Sequence, residues 1–300
     1  MKNSDLAHII HYYFKRLINY SEQMKKGFSR EAIHLFRVDV KKLRAFLRMI
    51  RSKAEEPQQL KFPHRFKKMY SMTGKIRDRQ LCLKRIQENK TIGNSRLGNK
   101  VYSLKKEIKE LSGKKSEFLS KKEFEEIEQG IIKLLPMTWE DAVIESFFQQ
   151  KLKIINGVFV KGDYKDTELH NVRKSIKDII YIMRIYRDDL KAPLSLRFWN
   201  EAELKKAESF SHKLGLFNDA CNALSFLVSA QIKKTETPER EHLQGMRRQW
   251  LAEKRKLKKE VLDIYDSNYK GGLFGYFHAW SDRRGRTRKA IVSENEFLTN

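Results

Sequence analysis

Nonpolar residues recur every three or four positions along most of the chain, which is the spacing of one face of an α-helix. The breaks in this pattern contain glycine or proline. Helical segments are predicted at 4–26, 30–55, 62–89, 95–134, 138–157, 167–191, 195–232 and 239–267. Gly113 is expected to split the fourth segment, and Ser29 is a suitable N-cap for the second. The pattern therefore predicts an all-α protein of four helices followed by four more, with a partly ordered tail over 270–300.

Two pairs of segments resemble each other, in the same order along the chain. The segment "IHLFRVDVKKLRAFLRMIR" (33–51) aligns with "LHNVRKSIKDIIYIMRIYR" (169–187), and "MTGKIRDRQ" (72–80) aligns with "KLGLFNDAC" (213–221). The matched polar and glycine positions are His34/His170, Arg37/Arg173, Lys41/Lys177, Arg48/Arg184, Arg51/Arg187, Gly74/Gly215 and Asp78/Asp219. We interpret the chain as a duplicated four-helix unit, with residues 1–135 as the first repeat and 136–269 as the second.

Charge adds a functional hypothesis to this fold. The chain has 63 lysines and arginines against 38 aspartates and glutamates, a net charge of +25. Such self-repulsion favours a polyanionic partner such as nucleic acid, an anionic membrane surface or a phosphate polymer. A basic surface with no specific partner is the alternative.

Positive charge is concentrated on one side of each of the two helices predicted over the aligned segments 33–51 and 169–187. On a helical wheel the first helix places a row of cations within an arc of about 100°, beside its nonpolar face. This first stripe consists of His34, Arg37, Lys41, Arg44, Arg48 and Arg51. The second stripe consists of His170, Arg173, Lys177, Arg184 and Arg187, with Ile180 at the position of Arg44. A linear polyanion laid along either stripe would meet a positive group at every turn.

Several of these residues have alternative interpretations. The two histidines could be core residues bonded to backbone carbonyls. The outer arginines Arg48, Arg51, Arg184 and Arg187 could pair with acidic residues on adjacent helices. Asp78 and Asp219 could bind a metal or act as bases, although support of arginines on the paired helix is favoured. Gly74 and Gly215 are interpreted as close helix crossings.

The remaining sequence features bound the class of protein. The beginning of the chain lacks the pattern of a signal peptide, and no run approaches the roughly 20 nonpolar residues of a membrane span. Cys82 and Cys221 are interpreted as buried thiols in a reducing compartment. We expect a cytoplasmic protein that does not insert into membranes, with no metal, cofactor or catalytic residue.

The first stripe resembles a known family signature. The residues "HLFRVDVKKLRAFLR" (34–48) resemble the signature of the CHAD domain (conserved histidine α-helical domain), and "TGKIRDRQ" resembles the Gly-x-x-Arg-Asp segment that follows it. "LHNVRKSIK" and "LGLFND" are similar to the second-repeat counterparts, although Asp178 and Ile180 replace basic positions. The resemblance covers about residues 5–265 and suggests a stand-alone CHAD protein, without the triphosphate tunnel domain that often accompanies this family.

The resemblance implies two four-helix bundles related by a pseudo-twofold axis, with inorganic polyphosphate bound in a basic groove or pore. It also implies association with polyphosphate granules. Carried over residue by residue, the implied ligands are His34, Arg37, Lys41, Arg44 and Arg48, opposite His170, Arg173, Lys177 and Arg184. Lys75, Arg77 and Lys213 are second-tier candidates. Sulfate or phosphate ions are expected to occupy the same site in crystals.

Two other functions are weighed against this expectation. The net charge favours a nucleic-acid binder equally, but the aromatic residues lie mainly on predicted core faces rather than beside the cations. An enzyme of phosphoryl transfer would usually carry metal-holding carboxylates or a phosphate loop, and no GxxxxGK[ST] pattern occurs. The sequence therefore favours non-catalytic binding of polyphosphate, with nucleic acid as the second choice.

Overall fold

A computed structural model of the chain describes residues 3–52, 60–88, 98–137, 141–162, 164–189, 201–227 and 237–269. All regular secondary structure within these ranges is helical, which confirms the predicted all-α class. The helices are α1 (Asn3–Lys26), α2 (Arg30–Ile50), α3 (His64–Glu88), α4 (Gly98–Ser112), α5 (Lys121–Ile132), α6 (Asp141–Lys161), α7 (Asp166–Arg184), α8 (Glu201–Ser225) and α9 (Thr237–Tyr269). The predicted tail at 270–300 lies outside the described residues.

Local capping explains where two of the helices begin. The Ser29 side chain accepts a hydrogen bond from the Ala32 N–H at 2.9 Å, as expected for the N-cap of α2. Ser120 and Glu123 form a reciprocal capping box at the start of α5. Gly113 directly follows α4, and a short 3₁₀ turn at Lys115–Glu117 leads into α5, so the predicted split of the fourth segment is confirmed.

One predicted helix end is wrong. The pattern ended the fifth segment at 157, but α6 continues to Lys161. Gly157 is accommodated inside the helix, and the buried Phe159 in the next turn stacks on Tyr265 of α9 with ring centroids 3.5 Å apart. The chain leaves the helix at Gly162, whose φ of 70° favours glycine. Tertiary packing therefore extends α6 past the residue that breaks its sequence pattern.

The packing order of the helices recurs along the chain. Helix α2 lies between α1 and α3, and α3 also contacts α4. In the same way, α7 lies between α6 and α8, and α8 also contacts α9. Helix α2 packs directly on α7, and α3 contacts α8. The two helices that carry the basic stripes are therefore neighbours, and the helices that follow them also meet.

Most buried nonpolar residues form one continuous core that includes side chains from both halves of the chain, such as Phe36, Phe66, Ile176 and Phe210. A smaller cluster around Cys82, Leu104 and Trp250 joins α3, α4, α8 and α9. Both cysteines are free thiols; Cys82 is buried and Cys221 is half-buried. No helix among the described residues is long and nonpolar enough to cross a membrane.

Candidate functional site

Four cations from α2 and α7 interact where the two helices pack. Arg37 and Lys41 come from α2, and Arg173 and Lys177 come from α7; we call these residues the central cluster. Burial, followed by repulsion from Arg37, Arg173 and Lys177, lowers the pKa of Lys41 to about 8. Burial and the nearby Arg173 and Arg184 likewise lower the pKa of Lys177. Because the two lysines are disfavoured in their charged forms, an anion bound beside them would relieve the repulsion.

Arg37 lies across α3 at Gly74. Its Nη1 donates a hydrogen bond to the Tyr70 backbone carbonyl at 2.8 Å, and its Cζ lies 4.5 Å from the centroid of the Tyr70 ring. A Cβ atom at position 74 would lie 2.6 Å from Nη1, so any side chain there would force the Arg37 guanidinium to move. The absence of a side chain at Gly74 therefore lets the guanidinium rest on α3.

Arg173 faces Gly215 of α8 in an equivalent position, but with fewer partners. A Cβ at position 215 would lie 3.5 Å from the Arg173 Nε, an ordinary contact distance. Within the described ranges, this Nε is buried and has no hydrogen-bond partner. The buried Ser211 hydroxyl, one turn before Gly215 as Tyr70 is before Gly74, also has none there. The Arg173 guanidinium therefore makes fewer contacts within the described protein than that of Arg37, and more of its donors remain available to a ligand.

Two carboxylates accompany these arginines. Asp78, one turn after Gly74, interacts electrostatically with Arg37 and Lys41, and burial is the main cause of its raised pKa. Asp219, one turn after Gly215, interacts with Arg173 and with Lys41. Each thus lies beside the arginine of the paired helix, the interpretation favoured from the sequence. No group of three or more potential metal ligands occurs among the described residues.

Neither histidine of the stripes is a core residue, because both side chains are exposed. The pKa of His34 is lowered by desolvation and by the positive charges of Arg77 and Lys41. His34 is therefore largely neutral at pH 7. The Nδ1 of His170 bonds to the Asn218 side-chain oxygen at 2.6 Å, which makes Nδ1 the donor and orients the ring.

Most outer residues of the stripes are engaged within the protein. Arg48 is ion-paired with the buried Asp178 of α7, which also binds Lys151 of α6 at 3.0 Å. Arg184 pairs with Glu208 of α8 at 2.6 Å, and Arg187 pairs with Asp188 and Glu201. These pairs are the alternative that the sequence left open for the outer arginines.

Arg51 and Arg44 lie on the side of α2 that faces α3. Arg51 donates to the Leu60 backbone carbonyl at 2.7 Å, and its pKa is lowered by burial and by Arg48 and Arg44. Arg44 is exposed, with its Cζ 5.5 Å from the Tyr70 ring centroid. Sequence analysis missed Tyr70, because it assigned aromatic residues at helical spacing to the core. The spacing of Tyr70, Gly74 and Asp78, one turn apart on α3, could have revealed its role.

The second-tier candidates have different surroundings. Arg77 is half-buried, donates to the Arg30 backbone carbonyl at 3.4 Å, and interacts with Asp219. Lys213 is ion-paired with Glu260 of α9 at 2.9 Å, and Lys75 is exposed. Of the residues singled out in the sequence, the structure thus brings together the central cluster with Arg77 and His34 nearby. Carboxylates of the protein form ion pairs with Arg48, Arg184, Arg187 and Lys213.

These features define an all-helical protein in which two successive sets of helices bring equivalent cations together. The family model of the CHAD domain matches residues 8–228, and the chain belongs to this family. The crystal structure of the CHAD domain from the plant Ricinus communis is similar, with a TM-score of 0.69 over 89% of this chain and 91% of that chain. At 15% sequence identity, this likeness concerns the fold. No curated protein matches the sequence.

Proposed function

We propose that this protein binds inorganic polyphosphate without catalysis, and that the central cluster is the core of its binding site. The observation that carries the proposal is the crowding of Arg37, Lys41, Arg173 and Lys177, which lowers the pKa of both lysines. A chain of adjacent phosphates supplies closely spaced negative charges that would offset this crowding of cations. Arginine forks and lysine ammonium groups both suit phosphate oxygens.

The proposal includes the internal symmetry of the site. Residues 1–135, with α4 and α5 counted as one interrupted helix, and residues 136–269 are repeats that form two four-helix bundles, related by a pseudo-twofold axis near the contact of α2 with α7. The recurring packing order of the helices and the equivalent arginine–glycine pairs support this arrangement. The ligand would then run between the two stripes in a basic groove, and the protein would follow polyphosphate to its granules in the cytoplasm.

Mutation of the central cluster tests the site. The double variant Arg37→Glu/Arg173→Glu should weaken binding of long-chain polyphosphate by about 100-fold, because two charge-assisted contacts become repulsive. Lys115→Glu/Lys122→Glu is the matched control, since both lysines are exposed and lie outside the cluster. Calorimetric titration of both variants at fixed salt measures the difference. Equal losses in the two variants would place the site elsewhere.

Salt and chain length test the mechanism. Release of counterions predicts that log K falls by about 0.7–0.9 per phosphate contact with log salt, by analogy with nucleic acids. Long polyphosphate should bind more tightly than short polyphosphate, because it reaches more cations. Equal affinities at physiological salt would contradict a groove. Displacement of polyphosphate by duplex DNA at equal phosphate concentration would instead favour the nucleic-acid alternative.

A further inference from the structure

The second stripe contains an uncharged polar residue that the first stripe lacks. Arg173, Lys177 and Arg184 follow one another along α7, and a full helical turn separates Lys177 from the next cation. Tyr181 lies in this interval, four residues after Lys177 and three before Arg184, which places it on the same side of the helix. The aligned residue of α2 is the buried Ala45. Tyr181 therefore continues the second stripe at a position where the first has no polar side chain.

Tyr181 lies among the charged groups of the candidate site. The Nζ of Lys177 is 5.8 Å from the centroid of the Tyr181 ring. The phenol also interacts electrostatically with Arg173 and Arg184 on its own helix and with Tyr70 of α3. Because Tyr70 belongs to the first half of the chain, Tyr181 lies where the two halves approach each other.

The hydroxyl of Tyr181 is able to bind a ligand. The side chain is half-buried, and its hydroxyl has no hydrogen-bond partner among the described residues. The nearby carboxylate of Asp178 is already bound to Arg48 and Lys151. Burial is the main cause that raises the pKa of Tyr181 to about 12. The hydroxyl therefore stays protonated at neutral pH and can donate a hydrogen bond.

A neutral donor suits this crowded region better than a further cation would. Burial and neighbouring charges already lower the pKa of Lys41 and Lys177, so another positive group would add to the repulsion. A phenol can donate a hydrogen bond to a phosphate oxygen without adding charge, and hydrogen bonds to charged acceptors are stronger than those between neutral groups.

We infer that Tyr181 is a further binding residue of the polyphosphate site, and that its hydroxyl donates a hydrogen bond to a phosphate oxygen between Lys177 and Arg184. The role of Tyr181 rests on the proposed function and adds to it a contact that does not depend on charge. The second stripe then binds its ligand through a phenol as well as through cations.

Removal of one oxygen atom tests this role. Tyr181→Phe keeps the ring beside Lys177 and removes only the hydroxyl. Titration calorimetry with long-chain polyphosphate should show about tenfold weaker binding, the worth of a hydrogen bond to a charged group. Tyr102→Phe, the same change at a tyrosine of α4 that is 70% exposed, should leave the affinity unchanged. An unchanged affinity in Tyr181→Phe would overturn the inference, because the residue would then serve packing alone.

The salt dependence separates a contact of the hydroxyl from an effect on the cations. A hydroxyl releases no counterion, so Tyr181→Phe should lower log K equally at every salt concentration. Lys177→Gln should also reduce the slope of log K against log salt by about 0.7–0.9, by analogy with nucleic acids. A reduced slope in Tyr181→Phe would overturn the inference, since the tyrosine would then act by positioning Lys177. A wild-type protein that binds no polyphosphate would instead refute the proposed function itself.

Discussion

Helices α2 and α7 present equivalent arginines to equivalent glycines, yet the two arginines have different surroundings. Arg37 is bonded to the Tyr70 carbonyl and stacked on its ring, while Arg173 has a buried Nε with no partner among the described residues. The second stripe has the weaker sequence pattern, and yet its Arg173 makes fewer contacts within the described protein than Arg37 does. Counting cations along a helix does not reveal which of them can still bind a ligand.

A second difference lies at the aligned positions Lys42 and Asp178. Asp178 of α7 reaches across to Arg48 of α2 and also holds Lys151. Position 42 of α2 carries a lysine, so no equivalent carboxylate can bind Arg184, and Glu208 of α8 takes that role. Helix α7 therefore contributes a carboxylate that joins the two halves, whereas α2 carries a positive charge at the aligned position.

The largest effect is expected from removing this carboxylate. Asp178→Ala should lower the free energy of unfolding by about 2 kcal/mol, because Lys151 and Arg48 lose their buried partner. The figure is below that for a fully buried pair, since the Arg48 side chain is 34% exposed. Denaturant unfolding measures it. Lys42→Ala is the control at the aligned position and should change stability by no more than about 1 kcal/mol, the worth of its contact with the Tyr13 ring. Equal losses would remove the distinction between the two helices.

Single arginine truncations compare the two halves of the central cluster. Arg173→Leu should weaken polyphosphate binding about tenfold and Arg37→Leu about threefold, because the guanidinium of Arg37 is already bonded within the protein. Arg37→Leu should in turn lose more stability. Titration calorimetry and thermal unfolding of both variants provide the two readouts. The reverse order of affinities would show that the hydrogen bond of Arg37 positions it for the ligand.

The two glycines should respond differently to alanine. Gly215→Ala should stabilise the protein by up to about 1 kcal/mol, since its Cβ would make ordinary contacts and alanine is the better helix former. Gly74→Ala should lack this gain, because the new Cβ would displace the Arg37 guanidinium from Tyr70. Chemical unfolding of both variants gives the comparison. A gain of the same size at both positions would show that Arg37 moves away without cost.

The smallest effect concerns pH. The pKa of Lys41 is lowered to about 8 by burial and by Arg37, Arg173 and Lys177, against the attraction of Asp219. Polyphosphate favours the charged lysine, so affinity should fall about threefold as the pH rises from 7 to 9. Binding near pH 8 should take up protons, which titration in buffers of different ionisation enthalpy detects. Lys41→Arg should flatten the profile, and an unchanged profile would assign the effect to another group.

The lowered pKa of Lys41 affects stability in the opposite direction: raising the pH weakens ligand binding but stabilises the folded protein. Between the pKa of about 8 in the folded protein and the ordinary pKa of lysine, the unfolded chain binds more protons at Lys41. The contribution of Lys41 to the free energy of unfolding therefore increases as the pH rises through this window, while affinity for polyphosphate decreases. A pH series of unfolding experiments on wild type and Lys41→Arg separates this contribution from those of other groups.

Sequence analysis predicted the features that depend on local pattern. Helical spacing and capping residues gave the helices, including the cap at Ser29 and the break at Gly113. The aligned histidines, arginines and glycines predicted which positions correspond in the two halves. These features are accessible because periodicity and capping act within a few residues along the chain.

The features that it missed depend on contacts between distant elements. Nothing near Arg184 in the sequence indicates that Glu208, one helix later, would neutralise it. Asp178 was seen as a gap in a basic pattern, but its partners on α2 and α6 give it a structural role. Tyr70 was not singled out among the aromatic residues, which were assigned mainly to the core, and it supports Arg37 and Arg44. Such pairings require the packing of the helices to be known.

The crowding of Lys41 and Lys177 has a consequence for the lifetime of the protein. A ligand that binds only the folded chain stabilises it in proportion to the logarithm of its free concentration. Under the proposed function, bound polyphosphate would therefore lower the fraction of this protein that unfolds and is degraded. The same repulsion that favours an anionic ligand would then make the unliganded protein the shorter-lived form.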